Sequence, residues 1–164
     1  KYEIYKKRES GLIKTKVCID CDFEGYSFVS DHLQKVNLTY ANLMGASFMG
    51  KNLSNAILRK ANLENASLIL TNLTGADLTG ANLGGANLFD ANLGDANLFY
   101  ANLSRADLRK TNLSGANLSG TNLAGAYLFG ANLSGATLEG ARNLSDAIFC
   151  NTTMPDGTIN NSGC

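Results

Sequence analysis

Four cysteines and one histidine are the residues of this 164-residue chain that could take part in metal or redox chemistry. Cys18 and Cys21 have the Cys-x-x-Cys spacing of zinc and thiol–disulfide sites, and Cys150 and Cys164 stand near the C-terminal end. A zinc site usually needs four ligands, and His32 is the only histidine that could join the cysteines. A redox Cys-x-x-Cys pair begins a helix in a βαβ setting, which is absent here. We therefore expect no metal and no cofactor.

The sequence contains no set of residues that predicts catalysis. A nucleophilic triad needs a base beside its nucleophile, and His32 stands alone at an outward position. Acidic residues are scattered, so no inward pair is available for general acid–base chemistry. The glycines follow a five-residue interval and not the Gly-x-Gly-x-x-Gly pattern that precedes a phosphate-binding helix. We therefore predict a protein that is not an enzyme and has no catalytic, cofactor-binding or metal residues.

The charge balance argues against two classes of partner. The chain has 14 basic and 14 acidic residues and is formally neutral, so we expect no nucleic-acid partner. No apolar run approaches the roughly 20 residues needed to cross a bilayer, so we expect no membrane insertion. Because the chain begins at Lys1 and not at Met, we expect it to be processed or trimmed.

A five-residue repeat organises most of the chain. Twenty-four positions from Phe23 to Leu138 are Leu or Phe at intervals of five, and most have a small residue two places earlier. A period of five leaves no apolar face on a helix and sends successive Leu side chains to opposite faces of a flat strand. A chain that turns a corner every five residues instead points each Leu inward, and its coils bury those side chains by stacking.

The repeat shifts register once, after Ala141. A one-residue bulge near Arg142 and Asn143 explains the shift without ending the coil. The inward positions predicted beyond the bulge are Leu144, Phe149, Met154 and Ile159.

The tandem motif Ala-(Asn/Asp)-Leu-x-x, present four times in succession in residues 76–95, resembles the pentapeptide repeat family. The resemblance covers about residues 21–159. It implies an all-β solenoid, a right-handed quadrilateral β-helix with four repeats in each coil and about seven coils. It also implies that the central Leu or Phe and the Ala two places earlier point inward, while the Asn or Asp between them points outward. At ~4.8 Å per coil the rod would be roughly 34 Å long.

Stacking residues twenty apart brings exceptions to the repeat together. Phe28 and Phe48 become inward neighbours that we expect to stack. Asp31 and Lys51 both replace the usual Ala on one side, one coil apart. We expect either a partly exposed ion pair at the corner or two side chains that reach water separately.

One outward column is apolar in most coils of an otherwise polar rod. Such a stripe predicts a partner surface, although large side chains on a flat face also simply cover backbone. A small basic cluster, Arg105, Arg109 and Lys110, is typical of a solvated surface. A smaller aromatic patch on another side contains Tyr40, Phe99 and Tyr100. The apolar stripe consists of Val29, Met49, Ile69, Leu70, Phe89, Arg109 and Phe129.

The N-terminal residues predict a cap over the first coil, because unpaired strand edges invite aggregation. Its residues up to about 12 are expected to form a short helix that ends at Gly11. The side chains expected to cover the first coil are Tyr2, Tyr5 and Leu12. The predicted divisions of the chain are a cap at 1–17, a β-helix at 18–159 and a tail at 160–164.

The lead-in and the tail resemble those of cyanobacterial members of the family. The lead-in at 11–23 has a Leu-x-x-Thr-x-x-Cys-x-x-Cys-Asp pattern, in which Phe23 follows in place of the usual Leu. In such proteins a cysteine pair can bracket an end of the helix, which favours a Cys150–Cys164 bridge that closes the C-terminal end. The other two cysteines, Cys18 and Cys21, form either a second disulfide or two buried thiols.

Together these features predict a rigid scaffold or protein–protein interaction module with an unknown protein partner. We expect a monomer in preference to a dimer. Disulfides would place it in an oxidising compartment, a periplasm or, from the resemblance, a thylakoid lumen; reduced cysteines would place it in the cytoplasm. Some relatives mimic DNA and bind topoisomerases, but residues 22–149 contain ten acidic and eight basic residues, too balanced for a mimic. Other cyanobacterial relatives regulate cell differentiation, which the residues do not distinguish from a general scaffold.

Overall fold

The computed structural model describes the backbone of residues 2–164 and the side chains of residues 3–164. Helix α1 spans Tyr2–Thr15, and a 3-10 helix spans Leu144–Asp146. Strands β1, Thr152–Thr153, and β2, Ile159–Asn160, form a two-stranded antiparallel sheet. Between α1 and β1 the chain coils, and residues in successive coils pair in parallel.

The chain turns a corner at nearly every fifth residue. The residue two places after the central Leu or Phe has a positive φ, as at Gly80 (65°) and Tyr100 (55°). The next N–H closes the corner, as from Ala81 to the Leu78 carbonyl at 2.9 Å. A left-handed φ suits glycine, which explains the frequent glycine at this position.

Parallel pairing joins residues twenty apart, from Val17 with Asn37 to Asn122 with Arg142. Twenty residues contain four corners, so each coil has four sides. Each side is so short that only one or two residues pair before the next corner, which is why long strands do not form in the described coils. We number the sides 1 to 4 in chain order. The sides are represented by residues 41–45, 46–50, 51–55 and 56–60.

The core lies along the axis of the coil, where the central residues from Phe23 to Leu133 are buried. The Ala side chains two places earlier are buried beside them, as the family resemblance implies. Phe28 and Phe48 stack with ring centroids 4.2 Å apart and planes 15° apart, so the predicted aromatic pair is confirmed. Stacked coils therefore bury one continuous apolar column.

The predicted register shift is confirmed near the C-terminal end. Arg142 pairs with Asn122, twenty residues earlier, whereas Ile148 pairs with Tyr127, twenty-one residues earlier. The extra residue lies in the segment that contains the 3-10 helix, which follows Asn143 at φ 57°. Phe149 is buried again, so the coil resumes after the insertion.

The expectation that Ile159 is an inward residue is wrong. The chain reverses after Met154, whose N–H donates to the Thr158 carbonyl at 2.8 Å. Ile159 then pairs with Thr153 in the antiparallel sheet and is exposed. Pro155 stands at the reversal, and proline has no N–H to continue the pairing. The boundary predicted between 159 and 160 falls inside β2.

The prediction that Gly11 ends the N-terminal helix is wrong, because α1 continues to Thr15. The helix ends where Lys16 takes a left-handed φ of 61° and leads into the first coil. The helix continues past Gly11 and so places Leu12, which is buried, in the core of the rod. Tyr5 is also buried, as predicted, whereas the side chain of Tyr2 lies outside the described residues.

Candidate interaction surfaces

The outward asparagines support the coil. The Asn82 side-chain oxygen accepts a hydrogen bond from the Gly84 N–H at 3.1 Å, two residues ahead. The Asn102 amide donates to the same oxygen from the next coil at 2.9 Å. The first bond recurs on all four sides, and the second recurs along sides 1 and 3 and once on side 4. The asparagine columns therefore fix the corners and help to set the spacing between coils. The outward side chains that do not follow this pattern are therefore the candidates for a functional role.

The apolar stripe lies on side 2, where the structure brings its predicted residues into one column along the rod, with Leu70 beside it at a corner. Val29, Met49 and Leu70 are each more than half exposed. Ile69 and Phe89 are partly exposed and continue the column between them. Phe129 is exposed near the C-terminal end of the stripe. The neighbouring outward column of side 2 begins with three serines, Ser27, Ser47 and Ser67. The exposed apolar surface in this half of side 2 is therefore concentrated along the stripe.

Arg109 interrupts the stripe and takes part in a charged and aromatic cluster. Its guanidinium donates two hydrogen bonds to Asp107, at 2.8 and 2.6 Å, and lies 5.7 Å from the Phe89 ring centroid. The Lys110 ammonium lies 5.6 Å from the same centroid. The hydrogen bonds from Arg109 hold the pKa of Asp107 below its ordinary value, although partial burial opposes the shift.

Tyr127 is a surface residue that the stripe pattern did not predict. On side 2 it occupies the outward position that Asn holds in most repeats of the chain, and its ring is exposed. Tyr127 and Phe129 line a shallow recess together with Arg105 and the Asp107–Arg109 pair. An aromatic residue in place of Asn was the sequence signal that would have identified it.

Asp31 and Lys51 meet at the corner between sides 2 and 3. The Lys51 Nζ lies 2.7 Å from Asp31 Oδ1 and also donates to the Val29 carbonyl at 3.0 Å. Asp31 is well exposed and Lys51 mostly covered. The hydrogen bond and the charge of Lys51 lower the pKa of Asp31. The contact joins the first two coils beside the start of the stripe.

Glu9 is a further residue whose role was not predicted from the sequence. It is 2% exposed, and its carboxylate accepts hydrogen bonds from the Tyr26 hydroxyl at 2.5 Å and from the Val29 and Ser30 N–H groups at 3.0 and 2.8 Å. These N–H groups belong to the open edge of the first coil. Glu9 stands between Tyr5 and Leu12 at helical spacing, and a carboxylate on an apolar helix face was the signal for its role.

The sulfur atoms of Cys18 and Cys21 lie at disulfide-bonding distance, and so do those of Cys150 and Cys164. The second pair ties the tail to the last coil, where the Gly163 N–H also donates to the Phe149 carbonyl at 2.6 Å. Within residues 3–164 no group of three or more metal-ligating side chains comes together. In the described part of the chain, no helix has the length and apolar character that a bilayer crossing requires.

Comparisons with known proteins agree on one family. The model of the family described as pentapeptide repeats matches eight copies in overlapping segments between residues 52 and 156. The structure of HetL from the cyanobacterium Nostoc sp. strain PCC 7120, a pentapeptide repeat protein involved in heterocyst differentiation regulation, is similar at 39% identity with a TM-score of 0.84. The similarity covers 88% of this chain and 66% of HetL. The pentapeptide repeat protein Rfr23 from the cyanobacterium Cyanothece 51142 is similar at 28% identity with a TM-score of 0.52, over 87% of this chain and 97% of Rfr23. No curated protein matched the chain.

Proposed function

Because the chain belongs to the pentapeptide repeat family, we propose that it is a non-catalytic scaffold that docks a protein partner on the apolar stripe of side 2. We infer that the rod is a right-handed quadrilateral β-helix of about seven coils, with α1 as one cap and the cysteine-closed tail as the other. A flat side recognises its partner by the side chains that it exposes.

The observation that carries the proposal is the exposure of Leu70 in a strained backbone conformation. Leu70 has φ 57° at a corner where glycine is the residue that fits without strain, and its side chain is more than half exposed. Among the fifteen non-glycine residues with a positive φ in the described part of the chain, Leu70 is the only one with an aliphatic side chain. An exposed aliphatic side chain in this conformation supports a functional role for the position. Leu70 lies beside Ile69 and thus widens the stripe at its middle.

The coil holds the stripe in a fixed arrangement. On side 2 the Leu68 N–H donates to the Asn87 carbonyl at 2.7 Å, and the Leu88 N–H donates to the Asp107 carbonyl at 2.8 Å. Successive stripe residues are therefore kept one coil apart, about 4.8 Å. A surface that is rigid before binding loses little conformational entropy when a partner docks.

A pull-down from the source cell tests the stripe. We expect the wild-type protein to retain a specific partner and the double variant Phe89→Ser with Phe129→Ser to lose it, because both changes remove exposed aromatic surface. The matched control is Ile19→Ser with Tyr40→Ser, which removes exposed apolar surface from side 4. Circular dichroism should show all three proteins folded. Identical partners for the wild type and the stripe variant would exclude the stripe as the docking surface.

A role in regulating cell differentiation is a second candidate, favoured by the similarity to HetL. The chain spans 66% of HetL, so a shared role requires that this part is sufficient. Expression of the chain in Nostoc sp. strain PCC 7120, with matched expression of HetL as the positive control, tests it. We expect both proteins to change the heterocyst pattern in the same way, and an unchanged pattern where HetL produces a change would reject this role.

The two cysteine pairs support a place in an oxidising compartment, such as a periplasm or thylakoid lumen. In a reducing compartment such cysteine pairs remain free thiols. Mass mapping under non-reducing conditions of the protein from its source cell should find Cys150 linked to Cys164. Recovery of four free thiols would place the protein in the cytoplasm. We propose a monomer, and light scattering of the purified chain measures that directly.

A further inference from the structure

Phe99 and Tyr100 form an exposed aromatic pair on side 4, opposite the apolar stripe. Their ring centroids lie 4.4 Å apart with the planes at 82°, and the two residues are 40% and 59% exposed. They line one recess with residues of the next two coils, Ser119, Gly120, Glu139 and Gly140. The recess therefore combines two aromatic rings with one carboxylate at the C-terminal half of the rod.

Gly120 keeps the Tyr100 ring in this position. A Cβ atom at Gly120 would lie 2.9 Å from two atoms of the ring, closer than real contacts allow. The ring thus extends from its own corner over the corner of the next coil, toward Glu139 and Gly140. A larger residue at 120 would displace the ring and close the recess.

The chain already pairs cations with aromatic rings at equivalent places. On the same corner column as Tyr100, the Lys60 ammonium lies 5.6 Å from the centroid of the Tyr40 ring. Lys60 stands one coil after Tyr40, as Gly120 stands one coil after Tyr100. The lysine that covers Tyr40 thus has no counterpart at Tyr100, whose ring stays open to a cation from another molecule.

The charges around the recess favour a cation from outside. Glu139 takes no part in the ion pairs of residues 3–164, which join Lys51 to Asp31, Arg59 to Asp77 and Arg109 to Asp107. Arg142 approaches the recess, because its Nε donates to the carbonyl of the lining residue Gly120 at 3.3 Å. The aromatic pair and Glu139 attract an ammonium group, whereas the positive charge of Arg142, on the adjoining side, repels it.

From these contacts we infer that Phe99, Tyr100 and Glu139 bind a lysine side chain of a partner protein. The ammonium lies over the Tyr100 ring, as that of Lys60 lies over Tyr40, and Glu139 neutralises its charge. The apolar stem of the lysine packs along Phe99. This site does not depend on the stripe, and because side 4 faces away from side 2, the rod can hold two partners at once.

Nuclear magnetic resonance of the aromatic rings tests the site with the peptide acetyl-Gly-Lys-Gly-amide. We expect saturable shifts of the Phe99 and Tyr100 ring signals, and no such shifts with a peptide that carries norleucine, which has no charge, in place of lysine. Equal shifts with both peptides would show a general apolar patch and overturn the inference. An absence of saturable shifts with the lysine peptide would overturn it as well.

Matched variants locate the binding. Tyr100→Gly should abolish the shifts at Phe99, and its positive φ suits glycine, so the fold should persist. Glu139→Gln should lower the affinity for the lysine peptide by about twofold to fivefold, and Arg142→Gln should raise that affinity. The control Tyr40→Gly makes the same change on the same corner column and should leave the affinity unchanged. Retained binding by Tyr100→Gly would overturn the inference.

Discussion

At the scale of single residues, the corner conformation separates positions that serve the fold from positions that serve a surface. Leu70 has φ 57°, and Lys35 has φ 58° at a corner outside the stripe. Leu70→Gly and Lys35→Gly should each raise the free energy of unfolding by about 1 kcal/mol, because both relieve a left-handed backbone. Urea denaturation measures this change.

Only Leu70→Gly should weaken partner capture, since only Leu70 adds to the stripe. Lys35→Gly is the matched control for the backbone effect alone. If both variants captured the partner as well as the wild type, Leu70 would have no role in docking. If Leu70→Gly were less stable than the wild type, the leucine would contribute packing that outweighs its backbone strain.

The Asp107–Arg109 pair predicts a loss of stability in acid. Hydrogen bonds from Arg109 hold the pKa of Asp107 below the ordinary value of 3.8 that it regains on unfolding. Its contribution is therefore present above about pH 4 and is lost as the pH falls through the lowered pKa. Asp107→Asn should reduce the difference in urea midpoint between about pH 5 and pH 2.5. An unchanged difference would show that this pair does not contribute to the acid response.

At the scale of elements, Glu9 joins α1 to the rod. Glu9→Ala removes the carboxylate that accepts hydrogen bonds from the Val29 and Ser30 N–H groups at the first coil, so it should lower the local opening free energy by about 2 kcal/mol. Hydrogen exchange of the Val29 and Ser30 amides should become faster. Glu3→Ala, on the exposed face of α1, is the control and should change neither amide. Unchanged protection in Glu9→Ala would mean that other contacts hold the cap.

The elements also differ in how far the sequence was sufficient to predict their structure. A strict repeat predicted the buried column and the register shift, because each inward Leu has an equivalent neighbour twenty residues away. The ends have no such repetition. The end of α1 depends on Leu12 reaching the first coil, and the reversal after Met154 depends on tertiary pairing of β1 with β2. Glu9 was not predicted because a carboxylate is not expected on the buried face of a helix. Tyr127 was not predicted because it stands at a position of the repeat that usually holds Asn.

At the scale of the whole molecule, a rod of stacked coils is stabilised by contacts between neighbours, so position along the axis sets the cost of a mutation. Leu78 is fully buried, and its coil pairs with one coil on each side. Leu138 is partly buried in the last side-4 segment, because the chain reverses after Met154, before it reaches side 4 again. Leu78→Ala should therefore cost about 3 to 5 kcal/mol and Leu138→Ala about 1 kcal/mol.

Urea denaturation of both variants compares these costs, with Ser114→Ala on the surface as the control that should stay within about 0.5 kcal/mol of the wild type. Hydrogen exchange should add a spatial pattern, because coils at the ends open without breaking those in the middle. Equal costs for Leu78→Ala and Leu138→Ala would mean that the rod unfolds as one unit in which the end coils are as well supported as the centre. The α1 cap and the cysteine-closed tail would then be the elements that provide this support.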